Sequence, residues 1–280
     1  MYPQIHIGTG YISSYNVALL TAVLCGWAAY VLGDARLWEA STPLARVKKL
    51  LGLSLAFWLL GVLCLQATVY FHFIFDNISD KVWDKLSMMD IVFAHPLKTI
   101  KVLYGLIFAF PLGIFLISLV DRSERFYDLL NKKTFIIFLV LGFARVGCFL
   151  NGCCYGICSD TFGVRFPMNS VAAWEHLRRG LTRGFVAPPS LPVIPTQAIS
   201  AVFLFALAFF ALRASLKNKS HVFFHYVFYY AIFRFFIEFL RADIDRAYYG
   251  PLSASQWISL FIFLLYGLWR RFGRKTSSTV

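Results

Sequence analysis

Seven stretches of this chain have the length and apolarity that a helix needs to cross a lipid bilayer. About 20 residues, rising about 1.5 Å each, traverse the ~30 Å of hydrocarbon. Five of these runs carry no charge: 15–33, 50–75, 102–120, 191–212 and 250–269. Two more, 134–158 and 221–240, reach the same length but hold charges, Arg145 in the first and Arg234 and Glu238 in the second. Lipid offers the backbone no hydrogen-bond partners, so such runs are expected as helices. A chain that is 59% hydrophobic and 15% charged has more apolar surface than a water-soluble domain buries. The expectation is therefore an all-α membrane protein, a seven-transmembrane-helix bundle forming one domain over residues 1–280.

Basic residues fall in alternate connections. Arg36, Arg46, Lys48 and Lys49 lie in one; Arg122, Arg125, Lys132 and Lys133 in the next of the series; then Arg213, Lys217 and Lys219; and finally Arg270, Arg271, Arg274 and Lys275. By the positive-inside rule those connections are cytoplasmic. The opposite face carries an N-terminal tail without Lys or Arg, an Asp-rich loop around Asp76, Asp80 and Asp84, the connection 159–195, and a short one around Asp243 and Asp245. The N-terminus is thus expected outside and the C-terminus in the cytoplasm. The first run lacks a basic leader and a small-residue cleavage site, so it is expected to remain as a span. The net charge of +13 is largely this cytoplasmic bias. It implies anionic phospholipid head groups as partners and no nucleic acid.

The connection 159–195 is punctuated by Pro167, Gly180, Gly184, Pro188, Pro189, Pro192 and Pro195, with one amphipathic turn at 171–179. It is expected outside, as a lid or short surface helix, with a plain connector as the alternative.

Charges at membrane depth mark functional candidates, because burying them costs several kcal/mol unless they are paired or face water. Arg234, Glu238 and Arg241 are spaced i, i+4 and i+7, which places all three on one helix face. They either form a self-contained bridge, or Glu238 aligns two guanidiniums toward an anionic ligand; a planar guanidinium offers phosphate a bidentate match. The densest motif runs from Arg145 to Gly156, Arg-Val-Gly-Cys-Phe-Leu-Asn-Gly-Cys-Cys-Tyr-Gly. Gly147, Gly152 and Gly156 let backbones approach or the helix open, and an opened helix at this depth lines a cavity. With Asn151 and Arg145, the segment is suited to a phosphate or glycerol head group. Close helix packing through small residues is the alternative.

Cys148, Cys153, Cys154 and Cys158 crowd the same segment, while Cys25 and Cys64 stand alone. Their C-x4-C-C-x3-C spacing matches no standard zinc pattern, so neither a metal nor a cofactor is expected. The cluster is expected to act as small polarizable fillers in a tight turn or to shape a site, with a redox disulfide pair as the alternative.

Several of these blocks resemble the phosphatidylglycerol–prolipoprotein diacylglyceryl transferase family of bacterial inner membranes. Arg145, Gly147, Phe149, Asn151, Gly152 and Gly156 occupy the places of the family signature G-R-x-G-[NC]-F-x-N-G and its continuation. Phe162-Gly-Val-Arg-Phe-Pro167 is similar to W-G-V-x-F-P, and Pro195-Thr-Gln197 to H-P-[ST]-Q. Phe233-Arg-Phe-Phe-Ile-Glu-Phe-Leu-Arg241 and Leu252-Ser-Ala-Ser-Gln256 resemble F-R-F-x-x-E-F-x-R and L-S-x-x-Q. At the start, Pro3 and Ile12-Ser-Ser-Tyr15 resemble the P-x-I…Y opening, with Tyr15 on the family's functional tyrosine. Two features depart. The H-G-G-L histidine is replaced by Tyr104 or Leu103 in Val102-Leu-Tyr-Gly-Leu106, and the Q-L-Y-E continuation reads Gln197-Ala-Ile-Ser200.

The resemblance implies a multi-pass bacterial inner-membrane transferase that moves diacylglyceryl from phosphatidylglycerol to a prolipoprotein cysteine and releases glycerol phosphate. On that basis Arg145 and Arg234 are expected to stabilise the departing phosphate, with Tyr104 in the place of the missing base. Tyr15, Gly147, Asn151, Gly152, Gly156, Glu238, Arg241 and Gln256 are expected around the substrate. His95 is a fallback base, and Cys153 and Cys154 are fallback nucleophiles. The alternatives are a paralog with another acceptor, a non-catalytic phospholipid binder and a cysteine-based membrane redox protein.

Overall fold

The computed structural model describes residues 4–7, 10–34, 39, 42–77, 104–120, 124–244 and 248–272; within these, side chains are placed for 13–34, 39, 42–62, 107–119, 124–244 and 248–272. A short antiparallel hairpin, β1 (Gln4–Ile7) and β2 (Gly10–Ser13), leads into α1 (Ser14–Val31). Then come α2 (Pro43–Asn77), α3 (Tyr104–Val120), α4 (Phe126–Asn151), the short α5 (Val171–Arg178), α6 (Thr196–Leu216) and α7 (Val222–Ile237). A 3-10 turn at Glu238–Leu240, a two-residue hairpin of β3 (Tyr248–Tyr249) and β4 (Leu252–Ser253), and α8 (Ala254–Phe272) complete the order. Among the described residues, four helices are long and apolar enough to cross a membrane: Ser14–Val31, Phe126–Asn151, Thr196–Leu216 and Val222–Leu240. Ile107–Leu119 is a shorter apolar helix.

Helix limits depart from the expected runs for local reasons. The run at 134–158 is helical only to Asn151, because Gly152 turns into the left-handed region at φ +75° and ends α4. The Cys153 N–H then reaches back to the Cys148 carbonyl at 3.2 Å, the long bond of a Schellman-type stop. At its other end α4 starts earlier than expected, so Lys132 and Lys133, assigned by sequence to a loop, lie within the helix. The run at 191–212 becomes helical only from Thr196, since Val193 pairs with Cys158 and Val164 in extended bridges. At the start of α8 the Ser253 hydroxyl accepts from the Gln256 N–H at 3.3 Å while the Gln256 carbonyl accepts from the Ser253 N–H at 2.9 Å, a reciprocal cap.

The chain divides into two compact units. The first comprises Met1–Leu24, Phe138–Ala211 and Phe223–Val280. Stacked rings knit its helices, Phe203 on Phe233 at 4.0 Å between α6 and α7, and Phe228 on Tyr266 at 4.1 Å between α7 and α8. Gly142 of α4 leaves room for Phe205 of α6, whose ring lies 2.7 Å from where a Cβ would stand. The second unit comprises Cys25–Ile137 and Leu212–Val222. There Gly113 of α3 receives Leu60 of α2, and the Trp27 indole N–H donates to the Ser54 hydroxyl at 3.1 Å. A buried ion pair, Lys133 with Asp34 at 3.5 Å, also belongs to this unit.

The connection 159–195 is folded rather than a plain strap. Ser170 caps α5 by accepting from the Ala173 N–H at 3.3 Å, and Ala172 and Ala173 on that helix are wholly buried. Tyr155, Phe166, Ala172 and Val193 make one buried cluster, with Phe149 and Ala242 packed against it.

Candidate active site

The site is assembled within the first unit from the end of α4, the chain after it, and the end of α7. Residues 155–157 run between two extended neighbours. Gly156 N–H donates to the Ile194 carbonyl at 2.9 Å, Ile157 N–H to the Leu240 carbonyl at 2.8 Å, and Ala242 N–H to the Tyr155 carbonyl at 3.0 Å. A Cβ at Gly156 would stand 2.7 Å from the Leu240 oxygen and 2.8 Å from the Ile194 oxygen. Only glycine lets three backbones approach this closely. In the preceding helix Gly147 has the same use, since a Cβ there would meet the Tyr15 ring at 3.0 Å and Ala18 at 3.1 Å. Tyr15 is thereby held against the motif helix, within electrostatic reach of Arg145 and the cysteines.

Arg234, Glu238 and Arg241 meet, but not on one continuous helix face. The helix gives way to the 3-10 turn at Glu238, and Arg241 is extended, with φ −80° and ψ 146°. Its side chain returns because it has other partners. One Glu238 carboxylate oxygen is shared by Arg234 and, at 3.2 Å, by Arg241. Arg241 also makes a two-point contact with Asp243, at 3.0 and 2.7 Å, and Arg234 donates to the Ser255 hydroxyl at 2.8 Å. Sequence reasoning missed Asp243 and Ser255; the i, i+4, i+7 spacing reached neither, because both lie beyond the helix break.

Arg145 is different. It is 7% exposed, yet among the described residues it makes no hydrogen bond and no ion pair with a carboxylate. Its charge acts on Cys154, Cys148, Tyr230 and Arg241. A buried guanidinium without a carboxylate partner is costly, so the fold presents a cation that an anionic ligand would stabilise.

Beside it the thiols of Cys148, Cys153 and Cys154 lie within 4.8 Å of one another. Cys154 sits in the left-handed region at φ +60°, and Cys158, exposed, is not part of the group. The turn is pinned by the first residues of α6. Thr196 donates its hydroxyl to the Cys154 carbonyl at 2.6 Å, and Gln197 its amide to the Cys153 carbonyl at 2.5 Å. The Pro195-Thr-Gln block is thus the clamp on the cysteine turn, a role the sequence did not disclose. Glu175 was also missed: its carboxylate accepts from the Tyr155 hydroxyl at 2.6 Å and from the Ile244 N–H at 3.2 Å, tying α5 to both motif segments. Next to it, His176 accepts the Leu191 N–H at Nδ1, 3.1 Å away, and burial followed by the Arg179 charge pushes its pKa down.

The remaining candidates are placed less richly. Asn151 is the last residue of α4 and half-buried, and Gly152 stops that helix. Gln256 uses its carbonyl in the α8 cap, and its amide nitrogen is buried with no partner among the described residues. Tyr104 opens α3, but its side chain, like His95, lies outside the described residues.

The fold and site define a helical membrane protein with a buried, glycine-lined basic site. The model of the prolipoprotein diacylglyceryl transferase family matches residues 4–270. The chain belongs to that family. Among curated proteins it is 38% identical over 184 residues to phosphatidylglycerol–prolipoprotein diacylglyceryl transferase 2 of Clostridium perfringens, covering 62% of this chain and 64% of that one. The phosphatidylglycerol–prolipoprotein diacylglyceryl transferase of Clostridium tetani is 35% identical over 170 residues, 59% of this chain and 60% of its own length. The protein of that same name from Dehalococcoides mccartyi is 30% identical over 165 residues, 58% and 57% respectively. These matches span less than two thirds of the relatives' length.

Proposed function

We propose that this protein is a phosphatidylglycerol–prolipoprotein diacylglyceryl transferase of the bacterial inner membrane. It crosses the bilayer seven times, with the N-terminus outside and the C-terminus in the cytoplasm. The single observation that carries the catalytic reading is Arg145, a buried guanidinium with no carboxylate partner among the described residues, within electrostatic reach of Arg241, which Glu238 holds together with Arg234.

In the proposed reaction the acceptor cysteine gives its proton to water, and its thiolate sulfur attacks the glycerol carbon joined to the phosphate. A carbon–sulfur bond forms, the carbon–oxygen bond to phosphate breaks, and glycerol phosphate leaves with the electron pair. Arg145 receives the charge that grows on the departing phosphate; in a site shielded from water such stabilisation is strongest. Arg234 and Arg241 cannot drift, because Glu238, Asp243 and Ser255 hold them, so the positive field needs no rearrangement during reaction. The chain lacks the motif histidine, but an acceptor thiol with an ordinary pKa near 8.5 is already a few per cent ionised at neutral pH, and nearby guanidiniums raise that fraction. Tyr15, Gly147, Asn151, Gly152, Gly156 and Gln256 surround the substrate in this scheme, and the connection 159–195 covers it from outside.

The test is transfer of labelled diacylglycerol from phosphatidylglycerol to a lipobox peptide by the purified protein in lipid, beside Arg145→Ala. Transfer by the wild type that the variant loses is expected. No transfer, with labelled phospholipid still bound, would overturn the enzyme and leave a phospholipid-binding protein; transfer retained by Arg145→Ala would remove the role given to that residue.

A further inference from the structure

The three thiols at the end of α4 serve none of the steps above. They are nonetheless gathered with care: two residues in the left-handed region, Gly152 at φ +75° and Cys154 at φ +60°, bend the chain so that neighbours in sequence point their sulfurs to one place. A positive φ at a cysteine is strained and persists only where surroundings impose it. Here Thr196 and Gln197 do so, through the carbonyls of Cys154 and Cys153.

We propose that Cys148, Cys153 and Cys154 form a three-coordinate site for a soft, thiophilic cation, with Cu(I) as the ion that fits best. The donor set is sulfur alone: no histidine, aspartate or glutamate ligand atom joins the group among the described residues. All-sulfur ligation selects soft ions and rejects magnesium and calcium. The geometry suits three-fold coordination. Metal–sulfur bonds of about 2.3 Å place three sulfurs about 4 Å apart around one ion. The three sulfurs all lie within 4.8 Å of one another, near that spacing.

Coordination number decides between candidate ions. Three thiolates complete the shell of a three-coordinate monovalent ion, and Arg145, which lacks a carboxylate partner, and Arg241, already held by Glu238 and Asp243, act on Cys154. Zinc would need a fourth ligand to complete its tetrahedron, and none joins the group among the described residues. The arginines that would repel a bare cation therefore stabilise the thiolate complex as a whole. On the function proposed above, loading would take up the positive charge reserved for phosphate, so a bound ion is expected to lower transfer. That consequence rests on the transferase reading; ion binding itself does not.

The experiment titrates the reduced, purified full-length protein, without added phospholipid substrate, into a chromophoric Cu(I) chelator and follows loss of colour. The expected result is about one ion withdrawn per chain. Cys154→Ser and Cys153→Ser, each checked for native helicity by circular dichroism, should weaken the withdrawal at least about tenfold, whereas exposed Cys158→Ser should leave it unchanged. Failure of the wild type to compete, or equal loss in Cys158→Ser, overturns the site. If one cysteine variant misfolds, the other decides. Transfer measured on the loaded protein is a separate readout: binding without inhibition keeps the site and removes only its coupling to phosphate.

Discussion

Two buried charge clusters among the described residues, one in each unit, are built differently. In the second unit Lys133 faces Asp34 at 3.5 Å, donates to the Tyr30 carbonyl at 2.9 Å and lies 4.7 Å from the centre of the Tyr30 ring. The cation meets an anion, a carbonyl and a ring face. In the first unit Glu238 and Asp243 hold two guanidiniums, Arg234 and Arg241. A third, Arg145, whose charge reaches Arg241, has no carboxylate partner among the described residues. A buried charge is thus no signal of function by itself; the surplus is, because a closed pair needs nothing further, whereas an excess cation is stabilised by an anion from outside.

This contrast is broken most directly at Arg145. Arg145→Ala should lower transfer by about a hundredfold or more while the protein remains folded, as measured by initial rates beside circular dichroism. A stability loss comparable to the rate loss would mean that the surplus charge is structural after all. Glu238→Gln comes next. It strips Arg234 and Arg241 of their shared anion and should cost about 3–5 kcal/mol, read as a fall in Tm, with transfer reduced in whatever remains folded. Asp34→Asn applies the same chemistry to the closed pair. Lys133 keeps the Tyr30 carbonyl, so the expected cost is smaller, about 1.5–3 kcal/mol, and transfer per folded molecule should be unchanged. Equal losses of activity in these two variants would erase the distinction between the regions.

Smaller effects sharpen the picture around the site. Gly156→Ala pushes a methyl group against the Leu240 and Ile194 oxygens, which are backbone and cannot swing aside; about 2 kcal/mol of destabilisation is expected, seen as a lower Tm. The smallest concerns His176, whose folded pKa lies below its ordinary value because of burial and then Arg179. A base so depressed stays neutral in the native state while the unfolded chain takes up a proton. Its contribution is therefore complete above the ordinary value, about 6.5, and is lost as pH falls through the folded value. His176→Gln should flatten that acid limb in a plot of Tm against pH.

How much could be read beforehand follows from the range over which each interaction acts. Helices stand at each expected span, because apolar runs of that length are a property of local composition. The arginines and glycines of the two motif blocks were also legible, since each block is contiguous and charges stand out in apolar surroundings. Partners that depend on a change of backbone direction were not. Asp243 reaches Arg241 only because the chain leaves the helix at Glu238, and a period of 3.6 residues says nothing beyond that break. Lys133 reads as one more cytoplasmic loop charge until α4 is seen to begin at Phe126 and to carry it into the interior.

The sequence by itself determined that this is a helical membrane protein with Arg145, Arg234 and Arg241 in two marked blocks, because hydropathy and charge are additive along a chain. Only the tertiary structure decided which charges cancel, which guanidinium is left without a counter-charge, and that three cysteines in an unpromising spacing share one place. Those outcomes depend on left-handed turns at Gly152 and Cys154 and on contacts between segments far apart in sequence. Electrostatic balance is set by distance in space, and spacing along the chain records that distance only while the helix continues.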